Sequence, residues 1–365
     1  MTEFFHEIKE LAGQFLLDGE IISALPFGEG HINNTCLIRT TTDAYVLQSI
    51  NPAIFPDTEG LMQNIAGVTA HLHRVLRDAG RDPLRETLTV IPTKENALFF
   101  RAGDNTPYRV YRFIPDSVTY QSIREPEDFR RAAKAFGDFT KLLADYPAET
   151  LHETIPGFHD TGNRYHQLEE ALLSCTNDRR KAAAAEIDFA LSRRTDAGQI
   201  TDAINSGSIP LRVCHNDTKL NNVLFDRETG RALCVVDLDT VMPGSLLFDF
   251  GDAIRFGANR AAEDERDLSL VSCDLVLYRA FTEGYAEEMR DTLTAGELEL
   301  FPVAARLLTL ECGVRFLTDY LNGDHYFKIS RPQQNLDRCR TQFKLVADME
   351  NKMSRMQEIT EGCIR

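Results

Sequence analysis

His215-Asn216-Asp217-Thr218-Lys219-Leu220-Asn221-Asn222, followed by Val235-Val236-Asp237-Leu238-Asp239, decides how this chain is read. The first stretch has the form H-x-D-x-x-x-x-N, and the second is an acidic pair that closes an apolar run. In protein kinases a catalytic-loop Asp takes the proton of the acceptor hydroxyl, and an Asn five residues on and a later Asp hold magnesium. Asp217 and Asn222 have that offset, and Asp237 follows Asp217 by 20 residues, enough for a hairpin and a return strand. Alone, Asp217 would read as a turn aspartate and Asp237 as a strand-end residue. Together the spacing implies a phosphotransferase with Asp217 as base and Asn222 and Asp237 as Mg2+ ligands. Mg2+ takes hard oxygen donors and shares its sphere with water and phosphate oxygens. Asp239 is a candidate for a second ion or a metal-bound water. Lys219 is placed to neutralise charge on the moving phosphoryl group, against the plainer reading of a solvated loop lysine. His215 reads as a residue that holds the loop rather than one that moves protons.

Composition narrows the class. The chain has 365 residues, 43% hydrophobic and 26% charged, enough for two or three domains or lobes with a sizeable core. No apolar run approaches a membrane span, and the acidic N-terminus lacks a signal-peptide pattern, so a cytoplasmic location is expected. Eight cysteines without a C-x-x-C pair predict reduced, mostly buried thiols rather than zinc or dithiol chemistry. A net charge of -16 argues against nucleic acid and anionic membrane as partners. It also means that ATP must be bound through magnesium, backbone N–H groups and a few placed cations. Nothing indicates a stable oligomer.

Periodicity suggests an α+β chain. Residues 4–17 carry a helical stripe; Ile21–Phe27, Thr35–Thr40 and Ala44–Ile50 read as an antiparallel sheet. Leu61, Ile65, Val68, Leu72 and Val75 form a helical stripe, and Leu88–Pro92, Ala97–Arg101 and Tyr108–Ile114 read as further strands. From Pro126 the pattern turns helical, with an alanine-rich helix over Lys181–Arg193 and later helices over Leu268–Arg290 and Pro302–Leu321. The expectation is a small antiparallel-sheet lobe over 1–114 and a larger, mainly helical lobe over 115–365.

Three further motifs bear on chemistry. Gly28-Glu29-Gly30-His31-Ile32-Asn33 lies between strands, where Gly28 and Gly30 would let backbone N–H groups approach phosphates; any hairpin can carry two glycines. No G-x-x-x-x-G-K-[ST] occurs, which excludes a P-loop kinase. Phe248-Asp249-Phe250-Gly251-Asp252 contains a literal D-F-G, but Asp237 is better placed after an apolar strand. Asp249 and Asp252 are expected to cap a helix starting there and to brace the catalytic loop.

On these residues the chain resembles the aminoglycoside phosphotransferase and choline kinase superfamily, and more narrowly the N-acetylhexosamine 1-kinases. The matching stretches run from Gly28–Asn33 through Tyr45–Asp57, Arg109–Ile114, Leu211–Asn222, Asp237–Ser245 and Phe248–Gly257 to Glu311–Tyr320. The resemblance implies a protein-kinase-like two-lobed fold and ATP-dependent phosphorylation of the anomeric hydroxyl of GlcNAc or GalNAc. It puts nucleotide contacts at Gly28, Gly30, Gln48, Tyr111 and Phe113, and sugar contacts at His31, Asp217, Phe256, Arg315 and Tyr326. Spacing alone would not select Arg315, which reads equally as an ion-pair partner of Asp319 four residues on. One departure stands out. Many relatives carry a strand lysine for the phosphates where this chain has Gln48, and Asn64-Ile65-Ala66-Gly67 lies where the helix glutamate is expected. Two competing readings are a kinase for another hydroxyl substrate, such as an amino alcohol, an aminoglycoside or a hydroxy amino acid, and a non-catalytic nucleotide-binding regulator.

Overall fold

The computed structural model describes residues 2–28 and 33–364. The chain forms two compact units. The first comprises Met1–Thr119, Leu142–Pro156 and Val223–Pro243, and the second Tyr120–Lys141, Gly157–Asn222 and Gly244–Arg365. The chain's strands are β1 (Ile21–Pro26), β2 (Thr35–Thr40), β3 (Ala44–Ser49), β4 (Val90–Ile91), β5 (Phe100–Arg101), β6 (Pro107–Arg112), β7 (Ser117–Val118), β8 (Arg212–Cys214), β9 (Val223–Asp226), β10 (Ala232–Val235) and β11 (Met242–Gly244). The architecture is α+β, an antiparallel-sheet N-terminal region and a helical C-terminal part, as expected.

In the first unit β1-β2-β3-β6-β4 form an antiparallel sheet, with β5 paired to β6. Strand residues alternate between faces. Cys36, Leu47 and Val110 align across β2, β3 and β6 and join Ile8, Ala12 and Phe15 in one apolar cluster. The opposite face therefore carries the aligned set Thr35, Gln48 and Arg109, and beside it Leu37, Val46 and Tyr111. The helix Thr58–Asp78 starts at Asp57, whose carboxylate accepts from the Gly60 N–H at 2.9 Å. β10, β9 and β7 make a second, three-stranded sheet.

Two expected strands shrink: Leu88–Pro92 to Val90–Ile91, and Ala97–Arg101 to Phe100–Arg101. β5 reaches only Tyr108 and Pro107 of its neighbour, and Pro107 has no N–H to extend the ladder. The alanine-rich stretch also departs from expectation. It splits into Asn177–Ala182 and Ala184–Leu191 at Ala183, which is fully buried and off helical geometry. Tertiary packing there overrides a high helix propensity.

The second unit is built on the helices Pro126–Leu142, Thr161–Ser174, Leu246–Gly257, Leu275–Met289, Phe301–Asn322 and Gln334–Ile364. Phe250 stacks on Phe301 at 4.1 Å between centroids and meets Phe281 and Tyr285 edge-on. Gly251 is the close-approach point. A Cβ there would lie 2.6 Å from the Ala304 carbonyl oxygen of the neighbouring helix. The literal D-F-G is thus a packing motif within a helix. All eight cysteines are free and none is exposed. No helix among the described residues is long and apolar enough to cross a membrane.

Candidate active site

The loop after β8 is rigidly built. His215 is fully buried, its ring edge-on to Phe136 and Phe139. Its Nδ1 accepts from the Asp217 N–H at 3.2 Å, so that nitrogen carries no proton. Asn216 adopts φ 63°, a left-handed conformation that Asn tolerates better than most residues. The Asp249 carboxylate accepts from the His215 N–H at 2.9 Å and the Asn216 N–H at 2.6 Å, and Thr218 Oγ1 donates to the Asp249 carbonyl at 2.5 Å. Burial pushes the Asp249 carboxyl up despite these donors. Asp249 therefore braces the loop, but it caps no helix. The helix begins at Leu246, with Ser245 Oγ accepting from the Leu247 N–H at 3.2 Å. Helix formation starts three residues earlier than expected because the serine supplies the cap.

Asp217 emerges from this frame with its side chain 25% exposed, within reach of an acceptor. Asn222 Nδ2 donates to the Asp217 carbonyl at 2.8 Å and to Oδ2 at 3.0 Å. The amide nitrogen is thereby committed, leaving the Asn222 oxygen as the end suited to a hard cation. Lys219 Nζ sits 2.5 Å from Asp217 Oδ1. Burial pulls the Lys219 ammonium down, but Asp217 and Asp252 outweigh it and hold it charged, above its ordinary value. Asp252 pairs with Arg255 at 2.7 Å.

Glu311 is buried where the second unit's long helix faces His159. His159 Nδ1 lies 2.9 Å from Oε1, and Thr161 Oγ1 donates to Oε2 at 2.6 Å. Burial alone would raise the carboxyl, yet His159, Thr161 and Arg315 hold it below its usual value. A carboxyl depressed in the folded state contributes stability above its unfolded pKa and loses it as pH falls through the folded one. The melting-temperature deficit of Glu311→Gln is expected to be largest near neutral pH and to close below about pH 4. A deficit that stays constant from about pH 7 to about pH 3 would refute the charged role.

Arg315 does not pair with Asp319. Asp319 accepts from the N–H groups of His325, Tyr326 and Phe327 at 3.0, 2.8 and 2.9 Å and from Asn335 Nδ2 at 2.8 Å. That carboxylate shapes the turn that presents Tyr326, 74% exposed. Arg315 instead lies half-buried between the Phe158 and Phe327 rings, 5.8 and 5.5 Å from their centroids. It makes no ion pair among the described residues. Phe256, beside Arg255, is exposed.

In the first unit Asp237 follows β10 in a left-handed conformation, φ 62° and ψ 58°, at the head of a tight turn. Asp239 is buried, with Oδ1 2.5 Å from Arg109 Nη1 and Oδ2 accepting from Asn33 Nδ2 at 2.8 Å. The Arg109 approach is an ion contact rather than an aligned hydrogen bond. Both Asp239 oxygens thus have protein partners. Gln48 and Tyr111 share one sheet face, Phe113 meets Phe27 edge-on at 5.8 Å, and Gly28 follows β1 at φ 80°. Gly30 and His31 lie outside the described residues. Arg109 and the His159–Glu311 pair were not singled out from sequence. A charged residue inside an apolar strand was the available signal for Arg109.

A loop carboxylate, an adjacent amide and a cation held beside them make up the equipment of a phosphotransferase. The chain belongs to the phosphotransferase enzyme family, whose family model matches residues 23–272. The matched span holds Asp217, Asn222 and Asp237 and stops short of Arg315 and Tyr326. The fold is similar to that of an aminoglycoside phosphotransferase from Alicyclobacillus acidocaldarius, with TM-score 0.59 and 14% identity over 97% of this chain and 96% of that one. It is similar to a microcompartment-associated aminopropanol kinase, with TM-score 0.57 and 14% identity over 96% and 98%. An AMP-bound spectinomycin phosphotransferase matches with TM-score 0.53 and 15% identity over 94% and 97%.

Proposed function

We propose that this chain transfers the γ-phosphoryl group of ATP to the anomeric hydroxyl of an N-acetylhexosamine, GlcNAc or GalNAc, to give the sugar 1-phosphate and ADP. Asp217 accepts the hydroxyl proton, and its contacts with Asn222 and Lys219 fix the carboxylate's direction. Lys219, held charged, offsets negative charge that develops as the phosphoryl group moves. Asn222 and Asp237 would hold Mg2+, which when bound neutralises phosphate charge. The sheet face of Gln48 and Tyr111, with Gly28 and Phe113, is the proposed nucleotide side; the AMP-bound spectinomycin phosphotransferase is consistent with a nucleotide co-substrate. Phe256, Arg315, Tyr326 and His31 are the proposed sugar contacts.

The observation that carries the acceptor class is Arg315. A guanidinium beside the Phe158 and Phe327 rings, which makes no ion pair among the described residues although Glu311 feels its charge, offers donors to hydroxyls and to an acetamido carbonyl. It would repel the ammonium of an amino alcohol such as the aminopropanol kinase uses. The choice of an N-acetylhexosamine over other neutral acceptors rests on the sequence resemblance.

The test is regiochemical. Free GlcNAc and GalNAc should be phosphorylated, and their methyl glycosides should be inert because the reacting hydroxyl is blocked. Phosphorus–proton correlation NMR of the product should couple phosphate to H1. Coupling to the C6 protons, or ready use of a methyl glycoside, refutes the 1-kinase assignment.

A further inference from the structure

The departure at Gln48 has a structural counterpart one strand away. Thr35, Gln48 and Arg109 sit opposite one another on β2, β3 and β6. Gln48 Oε1 accepts from Arg109 Nε at 3.2 Å and Nη2 at 3.0 Å, and Gln48 Nε2 donates to Thr35 Oγ1 at 3.1 Å. The amide is oriented by two different neighbours, oxygen toward the cation. Arg109 is 1% exposed, among the largest fully buried side chains. Its guanidinium lies 5.2 Å from the Tyr111 ring centroid, contacts Asp239 and feels the charge of Asp237. The helix Thr58–Asp78 also reaches this segment, through a neutral group. Asn64 Nδ2 donates to the Val241 carbonyl at 3.0 Å.

In kinases of the general type a strand lysine pairs with a helix glutamate beside the nucleotide phosphates. Here the same face holds a buried cation and a carboxylate from other elements. We propose that Arg109, paired to Asp239, has taken over the organising part of that ion pair, and that Gln48 is neutral because the cation has moved to β6. At 1% exposure Arg109 is a positioning residue, not a phosphate ligand. Through its contact with Asp239 it anchors the turn that Asp237 heads, and so fixes the backbone from which the Asp237 carboxylate would meet the metal. This rests on the proposed nucleotide and Mg2+ reading of the same site.

The consequence runs against substitution by family pattern. A lysine at position 48 would bring an ammonium against the guanidinium, where a neutral oxygen now accepts two N–H bonds. Gln48→Lys is therefore expected to damage the site rather than repair it. The exchange Gln48→Lys with Arg109→Gln returns the face to one cation and is expected to recover part of the loss. The readout is ADP binding by calorimetry with and without Mg2+, beside melting temperature. In Gln48→Lys and in Arg109→Gln, the gain in ADP affinity conferred by Mg2+ should shrink by about tenfold or more, one 1.4 kcal/mol step. In Arg109→Gln, metal-free ADP affinity should stay within about threefold, since the buried Arg109 does not touch phosphate. Arg109→Lys keeps a charge on Asp239 and should keep most of the Mg2+ gain, which guards against a variant that fails to fold. The proposal is overturned if Gln48→Lys binds ADP with Mg2+ as well as the unaltered protein does. It is also overturned if in Arg109→Gln the metal-free ADP affinity carries the whole loss, or if only melting temperature moves. If the unaltered protein shows no Mg2+-dependent ADP binding, the nucleotide reading itself falls, and this inference with it.

Discussion

Asp217→Asn is expected to lower kcat by about 10^2–10^4-fold, the usual range for losing a positioned general base. Binding of nucleotide and acceptor should survive. The substitution keeps the side-chain volume, and the amide oxygen can still accept from Asn222, now 3.0 Å from Oδ2. The frame beneath does not depend on the carboxylate. His215 and Asn216 are held by Asp249, and Thr218 by its carbonyl. What disappears is the proton acceptor and the charge opposite Lys219. A purified Asp217→Asn protein with unaltered melting temperature that keeps more than half of the turnover would remove Asp217 from the chemistry. The acceptor used should be a free reducing sugar, so that a slow alternative reaction elsewhere on the ring is not mistaken for residual activity.

The fold and the loop were legible in sequence for a physical reason. β2 and β3 alternate buried and partly buried residues over most of their length, and two-residue periodicity survives any later packing decision. The H-x-D-x-x-x-x-N spacing is local, and a loop's internal hydrogen bonds are set by offsets of two to five residues. Apart from Asp249 bracing the loop, long-range pairings were not legible. Asp239 read as a candidate for a second ion or a metal-bound water, and its contacts with Arg109, 130 positions earlier, and Asn33 were not visible in the sequence. Asp319 was the plain partner for Arg315 at four residues' distance, yet three backbone N–H groups of the following turn compete for it. A carboxylate with several fixed N–H donors nearby loses less freedom than one that must hold a long arginine. The helix Gln334–Ile364 was missed because charged and polar residues interrupt its apolar stripe, so it reads as no clear face. The break at Ala183 was invisible because alanine favours helix and only burial argues otherwise.

Asp237→Asn is expected to reduce kcat by at least about 10^2-fold at ordinary Mg2+, since a lost carboxylate ligand leaves several kcal/mol of phosphate charge uncompensated. Asn is the substitution of choice because of the backbone. Asp237 sits at φ 62° and ψ 58°, where an alanine would add a strain of about 1–2 kcal/mol unrelated to metal. Asparagine tolerates that conformation and keeps an oxygen, so the change isolates the charge. For the unaltered protein, EDTA should abolish turnover, and excess Mg2+ should restore it. In Asp237→Asn, raising Mg2+ should recover only a fraction, because the amide oxygen is a weaker ligand and the net charge at the ion has changed by one. Asn222→Ala should behave differently. It removes an oxygen donor and also the two bonds that orient Asp217, so its loss should persist at any Mg2+ concentration. Full turnover in rigorously metal-free buffer would eliminate the metal scheme while leaving Asp217 as base. Full rescue of Asp237→Asn by modest Mg2+ would instead move the second ligand to another carboxylate.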